Sequence, residues 1–238
     1  MSNERKCTHV AFIMDGNGRW AKSRNLPRFL GHKEGCKRVI DIYEACRENN
    51  IFIMSLFAFS TENWSRPKSE IDHLFNYLET FFKKEINRLM KDGTKIIVSG
   101  DISPIKESTK KVILESIEKT KDNNDFIFNI CLNYGGRSEI VLAAKKIADD
   151  IVNNRIKLDQ LDEITFNDYL YTKDLPPVDL LIRTSGEQRI SNFMLYQLAY
   201  AEMVFTKTYW PSFTKDEFNN ILKEFYTRDR RFGGIKNE

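Results

Sequence analysis

Short apolar runs and longer amphipathic stretches alternate along the chain. The apolar runs are nearly continuous and end in turn residues, which is typical of strands buried on both faces; they lie at 9–15, 51–60, 94–101, 126–134, 178–184 and 201–209. The amphipathic stretches repeat every three or four residues, as helices do, and lie at 31–49, 69–92, 105–122, 137–153 and 214–228. The alternation predicts an α/β fold with a mostly parallel central sheet of about six strands flanked by helices.

The predicted helix at 69–92 carries the broadest apolar stripe. Its apolar positions run from Ile71 to Met90 at steps of three and four, with charged residues around them. A stripe of this kind usually packs into the core. The lining of an apolar cavity requires the same residue types, so both uses are open from the sequence.

Composition and charge narrow the class of protein. A chain of 238 residues with 41% apolar residues can bury a sizeable core, and we expect one domain over 1–238. The 37 basic and 34 acidic residues nearly balance, which argues against nucleic acid as a partner and confines any anion site to a pocket. The four cysteines have no metal-ligand spacing, and no apolar run approaches the roughly 20 residues of a membrane span. We expect reduced thiols in a cytoplasmic protein that meets a membrane only at its surface.

Polar side chains cluster where three of the predicted strands end. Asp15 ends the first strand and leads into the turn Gly16-Asn17-Gly18. Residues 60–67 lie at the end of the second strand, and residues 183–192 lie at the end of the fifth. Ligands of open α/β sheets bind outside the carboxyl ends of the strands. Arg183 and Arg189, with hydroxyl groups nearby, therefore favour a cradle for a diphosphate. Either arginine alone would be explained more simply by an ion pair at the surface. That explanation does not account for two arginines and several hydroxyl groups together at the end of a buried strand.

The glycine pattern after the first strand differs from a nucleotide-binding loop. The chain has no Walker A sequence. Residues 16–21 match the G-x-G-x-x-A fingerprint of dinucleotide-binding folds, but the acid expected about 20 residues later, Asp41, falls inside a predicted helix. Asp15 would also repel a pyrophosphate unless a cation lay between them. Mg²⁺ commonly joins a carboxylate to substrate phosphates, so Asp15 is a candidate Mg²⁺ ligand.

The longer motifs are similar to those of one known family. In chain order they are HVAFIMDGNGRWAK, GHKEG, FAFSTENWSRP, NYGGR, DLLIRTSGEQRISNF, AYAE and RDRRFGG. Together they resemble the cis-prenyltransferases, most closely bacterial undecaprenyl diphosphate synthases, over nearly the whole chain. The resemblance implies a Mg²⁺-dependent transferase that adds isopentenyl diphosphate units to an allylic diphosphate, farnesyl diphosphate. The implied product is undecaprenyl diphosphate, the precursor of the lipid carrier for cell-wall synthesis.

The resemblance also implies roles for individual residues. Asp15 is the expected essential acid and metal ligand, Glu202 is a second metal ligand, and Asn63 is catalytic by orienting the group that accepts the proton. The expected substrate-binding residues are Gly16, Asn17, Gly18, Arg19, Trp20, Arg28, His32, Ser60, Thr61, Glu62, Trp64, Arg66, Arg183, Arg189, Ile190 and Ser191. Gly16 to Arg19 are expected at the starter's diphosphate, with Arg28 and His32 nearby, and Trp20 is expected to contact the substrate. Arg183, Arg189 and Ser191 are expected at the diphosphate of isopentenyl diphosphate.

Further parts of the chain take roles from the same resemblance. The segment Arg231–Gly233 matches a tail that reaches the active site of the neighbouring subunit, which implies a homodimer. A growing polyprenyl chain needs an apolar tunnel, expected between helix 69–92 and the strand that contains Ala58. Release of the product implies transient contact with a membrane surface. We expect His9 to be structural at the start of its strand and His73 to be an exposed helix residue.

Two functions of other classes remain open from the sequence. An oxidoreductase with a nucleotide cofactor would bind NAD(P) without depending on Mg²⁺. A noncatalytic subunit of a heteromeric prenyltransferase would be expected to have lost the acid at Asp15, which is present.

Overall fold

A sheet of six strands forms the centre of the structure, a computed structural model that describes residues 6–228. The strands are β1 (His9–Ile13), β2 (Ile53–Ser60), β3 (Thr94–Ser99), β4 (Phe126–Tyr134), β5 (Leu180–Arg183) and β6 (Glu202–Phe205). They are ordered β3-β4-β2-β1-β5-β6, and every neighbouring pair is parallel. The predicted α/β class is confirmed, and each predicted strand is present.

Helices connect the strands. In residues 6–228 the α-helices are α1 (Asn17–Lys22), α2 (Arg28–Glu48), α3 (Lys68–Lys91), α4 (Glu107–Thr120), α5 (Gly136–Val152), α6 (Glu163–Asn167) and α7 (Lys215–Thr227). Short 3-10 helices span Thr61–Ser65, Leu158–Gln160 and Trp210–Ser212. The sequence pattern missed α1, α6 and the 3-10 helices because segments of so few residues contain no repeating apolar period. In this part of the chain no helix has the length and apolar character needed to cross a bilayer.

Both faces of the sheet are buried. Along β1, Val10 and Phe12 belong to one buried apolar cluster, whereas Ala11 and Ile13 belong to another. Successive side chains of a strand point to opposite faces, so the two clusters lie on the two sides of the sheet. This arrangement explains why the strands read as continuous apolar runs rather than as alternating ones.

The order of the strands places one crevice at the carboxyl end of β1. In the sheet, Phe12 of β1 pairs with Leu56 of β2 on one side and with Ile182 of β5 on the other. The chain passes from β1 to β2 and forms β3 and β4 on that same side of β1. It then returns to form β5 and β6 on the other side of β1. Parallel sheets bind ligands where the strand order reverses in this way. The segments after β1, β2 and β5 therefore meet at one crevice.

His9 is the first residue of β1 and is fully buried. Its Nδ1 lies 2.9 Å from the carbonyl oxygen of Pro176, and its Nε2 lies 2.7 Å from the hydroxyl of Ser55. Burial lowers the pKa of His9 to about 4, although nearby carbonyl groups and Asp179 act in the opposite direction. His73 is exposed on α3, and its ring stacks on Phe29 with centroids 5.4 Å apart.

We expect His9 to make the protein less stable as the pH falls below neutrality. The folded protein does not take up a proton at His9 until the pH approaches 4, whereas the unfolded chain takes it up near pH 6.5. The free energy of unfolding should therefore fall by about 2 kcal/mol between pH 7 and pH 5 because of this residue. Urea denaturation of wild type and His9→Gln at both pH values measures the difference.

Val152→Ala, at an exposed position without a titratable group, provides the control and should keep the pH dependence of the wild type. The prediction would be contradicted if the free energy of unfolding changed equally between pH 7 and pH 5 in His9→Gln and in the wild type. The absolute stability of the variant does not enter this comparison.

Candidate active site

A cavity of about 870 Å³ opens at the carboxyl ends of the central strands. It extends between the sheet and helices α2 and α3. Its walls change in character along its length. Charged side chains, among them Asp15, Arg28 and Arg183, line one part, and apolar side chains such as Leu78 and Phe81 line another. The cavity can therefore hold a molecule with an anionic head and an apolar tail.

Asp15 lies two residues after the end of β1, in the charged part of the cavity. Its carboxylate accepts hydrogen bonds from the N–H of Gly16 at 2.6 Å and from Arg183 at 3.0 Å, and Arg19 lies 3.1 Å away. Burial raises the pKa of Asp15, but the hydrogen bonds from Arg183 and Gly16 and the charge of Arg19 outweigh it, so the pKa lies below its ordinary value. Asp15 is thus a carboxylate at neutral pH.

The turn after Asp15 requires glycine. Gly16 has a φ of 97°, and a Cβ there would lie 2.7 Å from the ring of Tyr209. The turn leads into α1, and α2 packs against it so closely that a Cβ on Gly31 would lie 2.0 Å from the carbonyl oxygen of Asn17. A Cβ on Gly18 would lie 3.0 Å from the side chain of Arg28. These contacts hold the residues predicted for the starter's diphosphate, Gly16 to Arg19, at the wall of the cavity.

Arg183 joins the two sides of the site. The side chain is only 5% exposed and donates hydrogen bonds to Asp15, to the carbonyl oxygen of Arg189 at 2.5 Å and to the hydroxyl of Ser191 at 2.7 Å. Ser191 has a φ of 49°, in the left-handed region. Arg183 therefore fixes the loop that carries Arg189 and Ser191 relative to the turn after β1.

A second basic group surrounds Glu70 at the start of α3. The Glu70 carboxylate lies 3.1 Å from Arg66, 3.3 Å from Arg28 and 3.8 Å from Nε2 of His32. The pKa of His32 is lowered to about 4, mainly by burial. The charge of Glu70 acts to raise this pKa, and the charges of Arg66 and Arg28 act to lower it. His32 is therefore neutral at pH 7 in the protein without a ligand. Its Nε2 is buried without a hydrogen-bond partner among residues 6–228.

The 3-10 helix Thr61–Ser65 closes the third side of the site. The side chain of Asn63 accepts a hydrogen bond from the N–H of Ser60 at 3.1 Å, which leaves its NH₂ group as the part that can act on a ligand. Glu62 accepts a hydrogen bond at 2.8 Å from Asn192, whose carbonyl-type oxygen also accepts from the N–H of Arg137. Asn192 thus connects this segment to the loop after β5.

Most of the predicted site residues line the cavity, and a few do not. Those that do not are Trp20, Thr61, Trp64, Ile190 and Glu202. The indole N–H of Trp20 donates to Ser212, and that of Trp64 donates to Asn133. Ile190 packs against the second apolar cluster. The ring of Trp64 packs against Phe59 and Phe75, both of which line the cavity.

The structure does not bring Glu202 to Asp15 within one chain. Glu202 is the first residue of β6 and pairs with Leu180, which in turn pairs with Val10. β1 continues three residues beyond Val10, to Ile13, which is about 10 Å along the strand direction, and Asp15 lies in the turn that follows. Glu202 instead lies 3.1 Å from Arg228. The sequence pattern could not reveal this separation because it depends on the register between strands. The predicted segment Arg231–Gly233 lies outside the described residues.

A family model decides the family of the chain. The model that describes undecaprenyl diphosphate synthases matches residues 13–233. The chain belongs to this prenyltransferase family. The match covers the three segments that form the cavity, and the resemblance of the sequence motifs is confirmed.

Individual prenyltransferases are similar over nearly their whole length. An isoprenyl transferase from Clostridium perfringens is 46% identical over 96% of this chain and 90% of that protein. A ditrans,polycis-undecaprenyl-diphosphate synthase ((2E,6E)-farnesyl-diphosphate specific) from Buchnera aphidicola is 47% identical over 95% of this chain and 91% of its own. The crystal structure of lavandulyl diphosphate synthase from Lavandula x intermedia in complex with dimethylallyl diphosphate has a TM-score of 0.93 at 34% identity, over 95% of this chain and 98% of that one. The chain is a transferase of prenyl groups.

Several polar residues of this prenyltransferase site were missed by the sequence analysis. Glu187 accepts hydrogen bonds from Arg19 at 2.8 Å and from Arg189 at 2.5 Å, and Ser185 accepts one from Arg19 at 2.6 Å. Glu70 and Asn192 hold the other basic residues and the 3-10 helix. Both glutamates had a signal in the sequence. Glu187 lies between the predicted Arg183 and Arg189, and Glu70 lies four residues after the predicted Arg66, the spacing at which opposite charges pair on a helix.

The apolar stripe of α3 serves both uses that the sequence left open. Phe82, Ile86 and Leu89 are buried in the core, whereas Leu74, Leu78 and Phe81 line the cavity. Ala58 of β2 lines it as well. The apolar part of the prenyltransferase cavity is thus bounded by the helix and the strand predicted for it.

We expect the substitution Ala58→Leu to shorten the prenyl product. A leucine there fills part of the apolar cavity, so the growing chain meets the wall after fewer additions. Separation of the products by chain length should show a shift to shorter chains by whole isoprene units. Val141→Leu, at an exposed position on α5 away from the cavity, should leave product lengths unchanged. Unchanged lengths for Ala58→Leu would rule out this position of the tunnel.

Proposed function

We propose that this protein is a Mg²⁺-dependent cis-prenyltransferase that adds isopentenyl diphosphate units in succession to farnesyl diphosphate. The proposed product is a long polyprenyl diphosphate, undecaprenyl diphosphate, for the lipid carrier of cell-wall synthesis. One observation carries the proposal. The charged and apolar walls belong to one continuous cavity, as an anionic head with a lengthening apolar tail requires.

The starter is assigned to the turn after β1. Gly16 to Arg19, with Arg28 and His32 opposite, offer backbone N–H groups, two guanidinium groups and a neutral imidazole to a diphosphate. The relative from Buchnera aphidicola carries farnesyl diphosphate in its name, and the lavandulyl enzyme was crystallised with a shorter allylic diphosphate. Both names support an allylic diphosphate as the substrate class, and the first supports farnesyl diphosphate.

Isopentenyl diphosphate is assigned to the loop after β5. Arg183, Arg189 and Ser191 offer guanidinium and hydroxyl groups at the wall of the cavity. Arg183 is already held by its bonds to the Arg189 carbonyl oxygen and Ser191, so little reorganisation accompanies binding. The two diphosphate sites share Asp15 and Arg183 between them, which favours a short distance between the reacting carbons.

The donor set at Asp15 fits a Mg²⁺ ion that arrives with the substrate. Residues 6–228 contain no group of three or more His, Cys, Asp or Glu side chains able to hold a metal ion. Mg²⁺ is typically held by one or two carboxylates together with substrate phosphates and water, so a single carboxylate suits it. Such an ion would neutralise charge that develops on the departing diphosphate.

The residues of the site support a reaction in which the carbon–oxygen bond of the allylic diphosphate breaks. The bonding electrons leave with the diphosphate, whose charge Arg19 and Arg28 are positioned to stabilise. The π electrons of isopentenyl diphosphate form the new carbon–carbon bond, and a proton leaves C2 to restore a double bond. An amide is a poor base, so we assign Asn63 to orienting the water or phosphate oxygen that takes this proton.

Two partners complete the proposal. A homodimer in which Arg231–Gly233 reaches the neighbouring subunit would bring a further arginine to the site. Transient contact with a membrane surface would allow the apolar product to pass into the membrane. A cytoplasmic protein at the periphery of the membrane suits both roles.

We expect Mg²⁺-dependent incorporation of radiolabelled isopentenyl diphosphate into long-chain product when farnesyl diphosphate is present. Asp15→Ala should lower kcat/KM by at least about a hundredfold because a stabilising charge is lost from the transition state. Asp72→Ala removes an exposed carboxylate that pairs with Lys68 on α3 and should have no effect.

Three outcomes would contradict the proposal. They are full activity of Asp15→Ala, activity that is independent of Mg²⁺, and no incorporation by folded wild-type protein. The last would favour a noncatalytic subunit.

A further inference from the structure

The charged side chains of the segment from Lys22 to Lys33 are all basic. Its sequence is KSRNLPRFLGHK, which contains four Lys or Arg residues and no Asp or Glu. It comprises the end of α1, the connection to α2 and the first turns of α2. We call residues 22–33 the mouth segment. A basic surface of this kind attracts anionic partners.

Three of its cations are not neutralised. In the part of the chain that the structure describes, no carboxylate forms an ion pair with Lys22, Arg24 or Lys33, and all three residues are exposed. Arg24 instead stacks on the ring of Trp20 at 4.2 Å. Arg28 differs, because it pairs with Glu70. The net charge of the mouth segment therefore faces solvent.

Apolar side chains are exposed on the same segment. Leu26 is 39% exposed and Phe29 is 40% exposed, and Pro27 between them is exposed as well. Phe29 stacks on His73 of α3, which holds the ring at the outer surface. Basic residues interspersed with exposed Leu and Phe side chains are characteristic of segments that lie in the interface of an anionic bilayer.

The mouth segment borders the cavity. Arg28 and His32 line the cavity from the first turns of α2, while Phe29 lies on the exposed side of the same turns. Gly31 packs against the turn after β1. A bilayer against this segment would thus lie beside the opening through which an amphipathic product leaves.

A second exposed apolar region has the opposite charge. Leu158 is 72% exposed and Ile164 is 77% exposed. The residues around them include Asp159, Asp162 and Glu163, all exposed. An anionic bilayer would repel this region, so exposed apolar area alone does not identify the membrane-binding surface. Basic charge together with a position beside the cavity opening identifies the mouth segment as that surface.

We propose that the mouth segment docks on an anionic lipid bilayer. Leu26 and Phe29 enter the head-group region, and Lys22, Arg24 and Lys33 contact anionic head groups. The polyprenyl tail then passes from the cavity opening into the bilayer without crossing water. The purpose of docking rests on the proposed function, whereas the docking itself does not require turnover.

Cosedimentation with vesicles tests the docking directly. One vesicle preparation contains equal parts of phosphatidylglycerol and phosphatidylcholine, and the other contains phosphatidylcholine alone. We expect the wild type to bind the anionic vesicles at least about tenfold more tightly and to lose this preference as salt is added. Lys22→Glu with Lys33→Glu should weaken binding by more than about twentyfold, at about fivefold for each cation removed. Leu26→Ser with Phe29→Ser should also weaken it.

Leu158→Ser with Ile164→Ser is the matched control and should bind as the wild type does. Circular dichroism and incorporation of isopentenyl diphosphate in detergent, without vesicles, establish that each variant is folded and active. Absence of wild-type binding, or equal binding by the mouth-segment variants, would overturn the proposal, as would loss of binding in the control. Vesicle binding without any incorporation would instead contradict the proposed function and leave the docking intact.

Discussion

The site depends on the ion pair between Asp15 and Arg183. A guanidinium group that is 5% exposed requires a counter-charge and partners for its N–H groups. Asp15 supplies the charge, and Asp15, Ser191 and the carbonyl oxygen of Arg189 accept hydrogen bonds from the two terminal nitrogens. Nε has no partner among residues 6–228. The pair joins the turn after β1 to the loop after β5, so both halves of the site have one fixed relation before any substrate arrives.

The parallel sheet explains why this pair can form and where the cavity must lie. Ile13 of β1 pairs with Arg183 of β5, so Asp15 emerges beside the arginine at the carboxyl edge. On the other side of β1, β2 ends in Ser60 and carries Ala58 into the cavity wall. The charged end of the cavity is thus at the strand termini, and the apolar end lies over the sheet beneath α3. One architecture provides both surfaces that an amphipathic diphosphate needs.

The strands and the principal site segments were predictable because their signals are local. Burial on both faces makes a strand a continuous apolar run, and polar residues directly after such a run lie at the carboxyl edge. The contacts of Glu70 with Arg28 and His32, and those of Asn192 with Glu62 and Arg137, were not predictable because they join distant segments. The position of Glu202 within the chain was not predictable for the same reason: a motif identifies a residue, but strand register decides which end of the sheet it occupies. Its role as a metal ligand stays a prediction.

The central claim is that one cavity holds both the diphosphate and the hydrocarbon of an allylic substrate. A crystal structure with farnesyl diphosphate and Mg²⁺, without isopentenyl diphosphate, tests it most directly. The account predicts the diphosphate between the turn Gly16 to Arg19 and the side chains of Arg28 and His32, with the hydrocarbon against Ala58 and Phe81. A diphosphate bound elsewhere, or a hydrocarbon that lies outside the cavity, would contradict the account.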